Sequence, residues 1–408
     1  MDFTLGEELE AVRDLARQIF TDHTAATRLR EVEQSPDRVD ETLWRDLASA
    51  GLLGVALPEE AGGSGLGVPA LGVLLEEQGR HVAPVPLWPT LVGALALTSY
   101  GTPQQREALL PALVDGSSRI TVALEEFGLQ DPDEPHCVAR PDSVARPESV
   151  ARPESVARPE SVARAESVAK PDGDGWRLTG TKAAVPTPAG AAYVLVSAST
   201  ESSTTESSAA GAGRRLFLVE AGAEGVSWER TETTSRDMAG NLTLENAPAQ
   251  ALPGDGALAG TLDLARMALS AVQIGVADGA LQLSASYLRE REQFGRPLGS
   301  FQAVLHQLAD CYIEIEALKV CVWRAISSVE ADGSADSSAV LVAKWWSGEG
   351  GLNVVHRAQH LHGGIGVDVD YPVHRFFLWG KQISGTLGGA SSDLTRLGDR
   401  LAEGKAAS

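Results

Sequence analysis

Cysteine is nearly missing from this 408-residue chain. Cys137, Cys311 and Cys321 cannot build a disulfide framework, and their spacing is not that of a metal site. Cys311 and Cys321 fall on different faces of one helical stretch, and buried free thiols are the plain expectation. Basic residues are also scarce: 34 Lys and Arg face 55 Asp and Glu, a formal net charge of −21. That average repels a nucleic-acid duplex and a bare anionic membrane, so neither is expected as a partner. A local basic pocket for an anionic ligand remains allowed. No apolar run reads as a membrane span. The opening Met1-Asp2-Phe3 turns acidic at Glu7-Glu8, unlike a signal or transit peptide. A cytoplasmic protein is expected, and a hydrophobic share of 43% supplies a sizeable core.

What is present falls into three parts. Leu5, Leu9, Val12 and Leu15 recur at helical spacing, and Trp44, Leu47, Leu52 and Leu53 continue the pattern. Pro58 to Gly65 breaks it, Val68 to Gly79 resumes it, and a further helix starts at Gly101-Thr102-Pro103. The centre turns strand-like at 119–124, 176–180, 192–196 and 215–219. It also holds a hexapeptide repeat from Val138-Ala139-Arg140-Pro141-Asp142-Ser143 to Val168-Ala169-Lys170-Pro171-Asp172-Gly173. Pro in nearly every copy removes backbone donors, so a disordered or extended loop is expected rather than a β-helix. Thr200 to Gly213 reads as a second flexible loop. From about Gly260, Met267, Ile274, Leu281 and Leu288 keep a heptad stripe, as do Leu308, Ile315, Val322 and Val329. Helices over 337–360 and 391–402 complete a bundle. The expected organisation is an N-terminal α-helical domain at 1–118, a central β-domain at 119–250 with the repeat insertion at 138–173, and a C-terminal helical bundle at 251–408 that builds oligomers.

Read by chemistry alone, several residues keep two meanings. Gly363-Gly364-Ile365-Gly366 after a helix is either an anion-cradling turn or a helix C-cap. Asp263 and Arg266 form either a local ion pair or a polar pocket wall. Arg291, at a helix end, either meets the helix dipole or reaches a phosphate. His356 and His360 share a helix face near His362, but no acidic or Cys ligand stands beside them, and no metal is expected.

Longer motifs bear on these choices. Arg291-Glu292-Gln293-Phe294-Gly295-Arg296-Pro297-Leu298 runs into Phe301-Gln302, and Gln359-His360-Leu361-His362-Gly363-Gly364-Ile365-Gly366 leads to Asp370-Tyr371-Pro372. With Leu43 to Pro58-Glu59, Leu75 to Arg80 and Trp176 to Lys182, they resemble the acyl-CoA dehydrogenase family along nearly the whole chain. The resemblance implies an α+β fold of N-terminal helices, a central β-barrel-like domain and a C-terminal four-helix bundle. It implies FAD clamped between subunits, with Arg291, Phe294 and Gln302 contacting the adenosine diphosphate portion from one chain. Gln359, Gly363 and Gly364 would contact it from the neighbour, and Asp263 and Arg266 would line the acyl-CoA site.

The departures are as informative. Relatives carry a catalytic Glu after the second motif; here Leu387, Gly388 or Gly389 holds that place. Other relatives place it just before the Arg of the long helix; here that residue is Ala265. The Thr-Glu-Pro flavin loop is replaced by Leu124-Glu125-Glu126-Phe127-Gly128, and Ala184 and Pro186 stand where Trp and Thr flank the flavin ring. Glu125, Glu126 and Asp393 are the nearby acids, Asp393 reading as a helix cap. Gly388 to Leu394 and Asp370 to Arg375 resemble an actinobacterial-type branch in which two related chains pair and one lacks catalytic residues. The expectation is α,β-dehydrogenation of an acyl thioester with hydride transfer to FAD. Two alternatives stand beside it: a non-catalytic subunit that completes a catalytic paralogue's FAD site, and a flavin-dependent monooxygenase on the same fold. The chain is expected either as a homo-oligomer or paired with that paralogue.

Overall fold

A computed structural model describes residues 5–128, 131–142, 175–200, 213–254, 256–329 and 334–406. Six helices come first: α1 Glu7–His23, α2 Ala26–Gln34, α3 Glu41–Ser49, α4 Gly67–His81, α5 Leu87–Tyr100 and α6 Pro103–Val114. Their starts are chemically marked. The Asp40 carboxylate accepts from the amides of Thr42 and Leu43 at 3.1 Å. Thr102 and Gln105 form a reciprocal capping box ahead of α6, with Pro103 where a helix needs no N–H. Trp44 is buried and donates its indole N–H to the Gly116 carbonyl at 3.0 Å, fixing α3 to the end of α6.

Seven strands follow: β1 Arg119–Ala123, β2 Val138–Pro141, β3 Gly175–Pro186, β4 Ala191–Thr200, β5 Arg214–Glu220, β6 Val226–Glu232 and β7 Met238–Ala251. The pairings β4–β2, β2–β3, β3–β7, β7–β5 and β5–β4 return to their start, so the sheet closes as a barrel. Closure leaves fewer open edges. Leu178, Val194, Val196, Phe217, Leu242 and Leu244 fill its interior. The first hexapeptide copy corrects the sequence reading. Val138–Pro141 is a strand, antiparallel to β3 and parallel to β4, because Ala139 buries its face in the barrel core. Its proline is the last residue of the strand. The other copies, and 201–212 of the expected second loop, lie outside the described residues.

The third part is helical. α7, Ala257–Glu290, is followed by the small hairpin β8 Glu292–Gln293 and β9 Arg296–Pro297, then α8 Gln302–Ile326. Next come α9 Ser337–Trp346, α10 Leu352–His362, α11 Val373–Gly385 and α12 Ala390–Ala406. α7 is long and apolar enough to cross a bilayer by composition, contrary to the sequence reading, but its apolar stretch is wholly buried among α4, α5, α8, α10 and α11. The helix expected over 337–360 is two, joined by a π-helical turn at Ser347–Gly351, where Gly351 presses against Gln273 of α7. α11 is a separate element that the sequence pattern does not mark. Cys137 and Cys311 are buried as expected, while Cys321 is half-buried.

Candidate functional site

The three parts meet around one cavity of about 100 Å³. Its wall combines the α4–α5 connection (Pro84–Pro89), the end of β1 (Leu124, Glu125), β3 (Ala183–Thr187), one face of α7 (Leu269, Val272) and the end of α11 with the turn after it (Thr386, Leu387). The β6–β7 hairpin closes one side through Ser235 and Asp237. Burial raises the Asp237 carboxyl to about 6 even though Ser235 donates to it at 2.7 Å.

Among the positions where a base was sought, Leu387 is the one that borders the cavity. It is buried and sits at φ 60, a left-handed conformation that is uncommon for leucine. Gly388 faces elsewhere: at φ 100, a Cβ on it would stand 2.8 Å from Arg396 Nη1. A Cβ on Gly389 would meet Ser384 O at 4.0 Å. Ala265 is fully buried in α7 and is absent from the cavity wall.

The nearby acids separate by environment. Glu126 is committed: its carboxylate accepts from Lys182 Nζ at 2.7 Å and from the amides of His136 and Cys137 at 2.9 Å. Burial alone would raise its pKa, but Lys182 and the two amides hold it below the ordinary glutamate value. Glu125 instead faces the cavity and accepts from the Leu387 amide at 2.9 Å. Burial pushes its pKa up. Asp393 is not a helix cap. It lies inside the first turn of α12, its own amide donating to Gly389 O, and is fully buried at 3.9 Å from Lys344 Nζ.

Asp263 and Arg266 are both buried and already partnered. Arg266 Nη2 meets Asp133 Oδ2 at 2.5 Å and its Nη1 meets Asp263 Oδ1 at 3.4 Å. Asp263 also accepts from Ser337 Oγ at 2.5 Å. Asp133, Lys344 and Arg396 carry no signal in the sequence, since each gains meaning only from a partner on another element.

The two glycine-bearing motifs occupy a different part of the surface, and none of their residues borders the cavity. Arg291 ends α7, Phe294 is 90% exposed at φ 57 on the β8–β9 hairpin, and Gln302 opens α8 on the exposed side. Gln359 donates to Gly366 O and leaves its Oε1 buried without a partner. Gly363, at φ 61, and Gly364 are exposed, and a Cβ on either would meet nothing within 4 Å. Tyr287 of α7 stacks on His362 at 4.6 Å, so both motifs lie at one end of the bundle.

Comparison with known proteins places this geometry. Family models match residues 6–117 as the acyl-CoA dehydrogenase N-terminal domain and 254–393 as the acyl-CoA dehydrogenase C-terminal domain. Acyl-CoA dehydrogenase FadE27 of Mycobacterium tuberculosis is 34% identical, the match covering 99% of each chain. FadE28 of the same organism is 30% identical over 98% of this chain and 99% of its own. A chain from the structure of the Tcur3481-Tcur3483 steroid ACAD G363A variant is 64% identical, with a TM-score of 0.86, over 99% of this chain and 100% of its own. One from the ChsE4-ChsE5 complex of M. tuberculosis is 34% identical with a TM-score of 0.83, covering 99% of each chain.

Proposed function

The chain belongs to the acyl-CoA dehydrogenase family, and we propose that it serves the α,β-dehydrogenation of an acyl thioester, for which bound FAD would supply the hydride acceptor. The observation that carries this reading is the open motif cradle at one end of the bundle. The cradle has room for the adenosine diphosphate end of FAD: Gly363 and Gly364 leave open space at the chain surface where a phosphate could approach the backbone. The cavity fits the flavin ring poorly. Pro186 has no N–H to offer, Glu125 brings a carboxylate to the wall, and about 100 Å³ is far below the roughly 300–1,000 Å³ of ordinary small-molecule sites.

That mismatch favours a second reading, in which the chain works as one member of a pair and completes the FAD site of a catalytic paralogue. Leu387 cannot accept a proton, and two of the similar structures, Tcur3481-Tcur3483 and ChsE4-ChsE5, each join two differently named chains. Phe294, Tyr312, Ile313, Val320 and Val367 are at least half exposed along the β8–β9 hairpin, α8 and the turn after α10. Such an apolar surface suits a subunit interface. A steroid side-chain thioester handled in the cytoplasm is the substrate we favour, because the 64%-identical relative is a steroid ACAD. Nothing in the cavity favours a monooxygenase.

Anaerobic titration with a panel of acyl-CoA thioesters, steroidal ones included, tests both readings. Flavin bleaching in the protein purified alone supports the first. Bleaching only after co-expression with a paralogue that carries the family's Glu supports the second. No flavin and no bleaching under either condition overturns the function proposed.

A further inference from the structure

Strand β2 fills a slot between β3 and β4 that asks little of its occupant. Along 135–140 the side chains alternate: Pro135, Cys137 and Ala139 are buried, His136 and Arg140 are exposed, and Val138 is half-buried. Ala139 belongs to the barrel core. Cys137 lies against Gly180, where a Cβ would stand 2.9 Å from the Cys137 Cα, so the two backbones run close there and the slot takes a small side chain. The remaining ties run through the backbone. The amides of His136 and Cys137 donate to Glu126 at 2.9 Å, the Ser199 amide donates to Cys137 O at 2.8 Å, and Ser199 Oγ donates to Pro135 O at 2.5 Å. Beyond the strand, Asp142 holds Arg177 at 2.6 Å.

The sequence meets these demands again every six residues. One period on, Pro141, Ser143 and Ala145 repeat the inward set, with Ser for Cys, and Glu148 repeats the acid that follows the strand. A hydroxyl suits that place, since Cys137 Sγ already donates to the Thr179 carbonyl at 3.5 Å. Six is an even number, so a slip of one period keeps inward residues inward; an odd period would turn every side chain to the other face. The last copy, Val168-Ala169-Lys170-Pro171, leads into Asp172-Gly173-Asp174-Gly175. If Pro171 stood where Pro141 pairs with Trp176, those four residues would close a hairpin of common length with a Gly-bearing turn. Each slip moves chain from the connection after β2 to the one before it, and closure entropy depends only weakly on that length. His136 marks the first copy out: its Nδ1 lies 3.3 Å from Glu126 Oε2, whereas later copies bring Asp or Glu to that place, a like charge. His136 is exposed, so this preference is small.

We propose that β2 is a sliding strand: its slot accepts any copy of the repeat in steps of six residues, and the first copy is the preferred occupant, not the required one. The tandem copies are spares for one barrel strand. They keep the barrel closed when a copy is altered, whether the chain works alone or in a pair.

The test spoils the docked copy and asks whether another replaces it. Ala139→Glu sets a carboxylate in the barrel core, which a strand with a single register cannot bear. In the full chain the next copy takes the slot, so the thermal melt should stay cooperative and fall by only a few degrees. The comparison is a chain lacking residues 142–171, in which one copy runs straight into Asp172-Gly173-Asp174-Gly175. That chain should fold like the parent, and Ala139→Glu in it should abolish the cooperative melt. Equal loss in the two backgrounds overturns the proposal, as does equal tolerance. So does a one-copy chain that fails to fold, because the last register needs that same turn. A second measurement needs no substitution. Cys137 is buried in the first register and released from the slot when a later copy docks. Under native conditions iodoacetamide, read by peptide mass spectrometry, should therefore alkylate Cys137 severalfold faster in the full chain than in the one-copy chain, while buried Cys311 reacts alike in both. Equal rates at Cys137 overturn the sliding strand.

Discussion

The cavity side of this molecule and its motif face treat polar groups in opposite ways. On and behind the cavity wall, the charged groups are mostly paired inside the chain: Glu125 has the Leu387 amide, Glu126 has Lys182, and Arg266 has Asp133 and Asp263, although its Nε is left without a partner. On the motif face, Gly363 and Gly364 face open space, Phe294 is exposed and Gln359 Oε1 has no partner. A buried charge must be matched by something. Where no ligand comes, the chain must supply the match itself; where a ligand or neighbour comes, the group is left open for it. The contrast separates a site turned inward and closed from one turned outward and unfinished.

The largest effect should come from breaking the inward pairing. Arg266→Met leaves Asp133 and Asp263 facing each other without their shared cation. Removing one partner of a buried pair costs about 3–5 kcal/mol. Urea denaturation at neutral pH should show a loss of that size. A loss below about 1 kcal/mol, the range of a surface pair, would mean that Arg266 is not held as described, and the closed side of the contrast would fall.

A gain of function is the next step down. Leu387→Glu, placed with Glu125→Thr, restores an acid on the cavity wall. A positioned base is worth at least about 10²-fold, and stopped-flow bleaching of the flavin should speed up on the order of 10²-fold. Gly388→Glu should gain nothing, because its Cβ would press on Arg396 from a backbone suited to glycine. If Leu387→Glu alone in the unmodified chain reaches the same rate, the cavity already admits ring and thioester, and the two sides do not differ as argued.

The order of helices, barrel and bundle is legible in the sequence because it rests on local signals. Met267, Ile274, Leu281 and Leu288 repeat along one face and all lie buried in α7. The motif residues are legible for the same reason, being contiguous. The closed side is not. Asp263 and Arg266 read as either a local ion pair or a pocket wall, because they are neighbours on a helix, and nothing nearby in sequence announces Asp133 as the third member. Lys344 looks like an ordinary polar residue of an amphipathic helix, yet it is fully buried against Asp393 on another element. Val138–Pro141 groups with its repeats, although a strand is defined by β3 and β4 beside it and not by its own composition. Pairings across elements leave no period in the sequence, which is why the fold can be read and the closure cannot.

A smaller effect follows from Asp237 on the cavity wall. Burial raises its carboxyl from 3.8 to about 6, so the folded chain holds this proton more tightly than the unfolded chain does. Arg38 nearby lowers it and Glu33 raises it again. Stability from this group is therefore full below the unfolded value and is lost as pH rises through the folded one. A folded value one pH unit above the unfolded one corresponds to about 1.4 kcal/mol; the side chain is only half-buried, which trims the effect to about 1–2 kcal/mol. Asp237→Asn should remove that decline between pH 4 and pH 6, read as the difference in urea midpoint between variant and parent. A parallel pH profile in the two proteins would free Asp237 from the closed side.

The smallest effect on stability, and the sharpest on the open side, belongs to Gly364→Ala. A Cβ there meets nothing within 4 Å in this chain, and Gly364 is not among the residues at positive φ, so no backbone strain is added. Stability should stay within about 0.5 kcal/mol of the parent, as for an ordinary surface change. Gly363→Ala is the contrasting control, since φ 61 with ψ −139 is backbone that essentially only glycine adopts and costs an alanine about 1–3 kcal/mol before any ligand is considered. What Gly364→Ala removes is the room for a phosphate to approach the backbone. Gel filtration of the co-expressed complex, followed by flavin absorbance per mole of protein, should show FAD retention lowered roughly tenfold in affinity, about 1.4 kcal/mol, with an unchanged melting temperature for the chain alone. Because the added methyl touches nothing of its own chain, any FAD lost must have been held from this surface. Full FAD retention in that variant would show that the cradle is an ordinary helix end, and the outward half of the contrast would be gone.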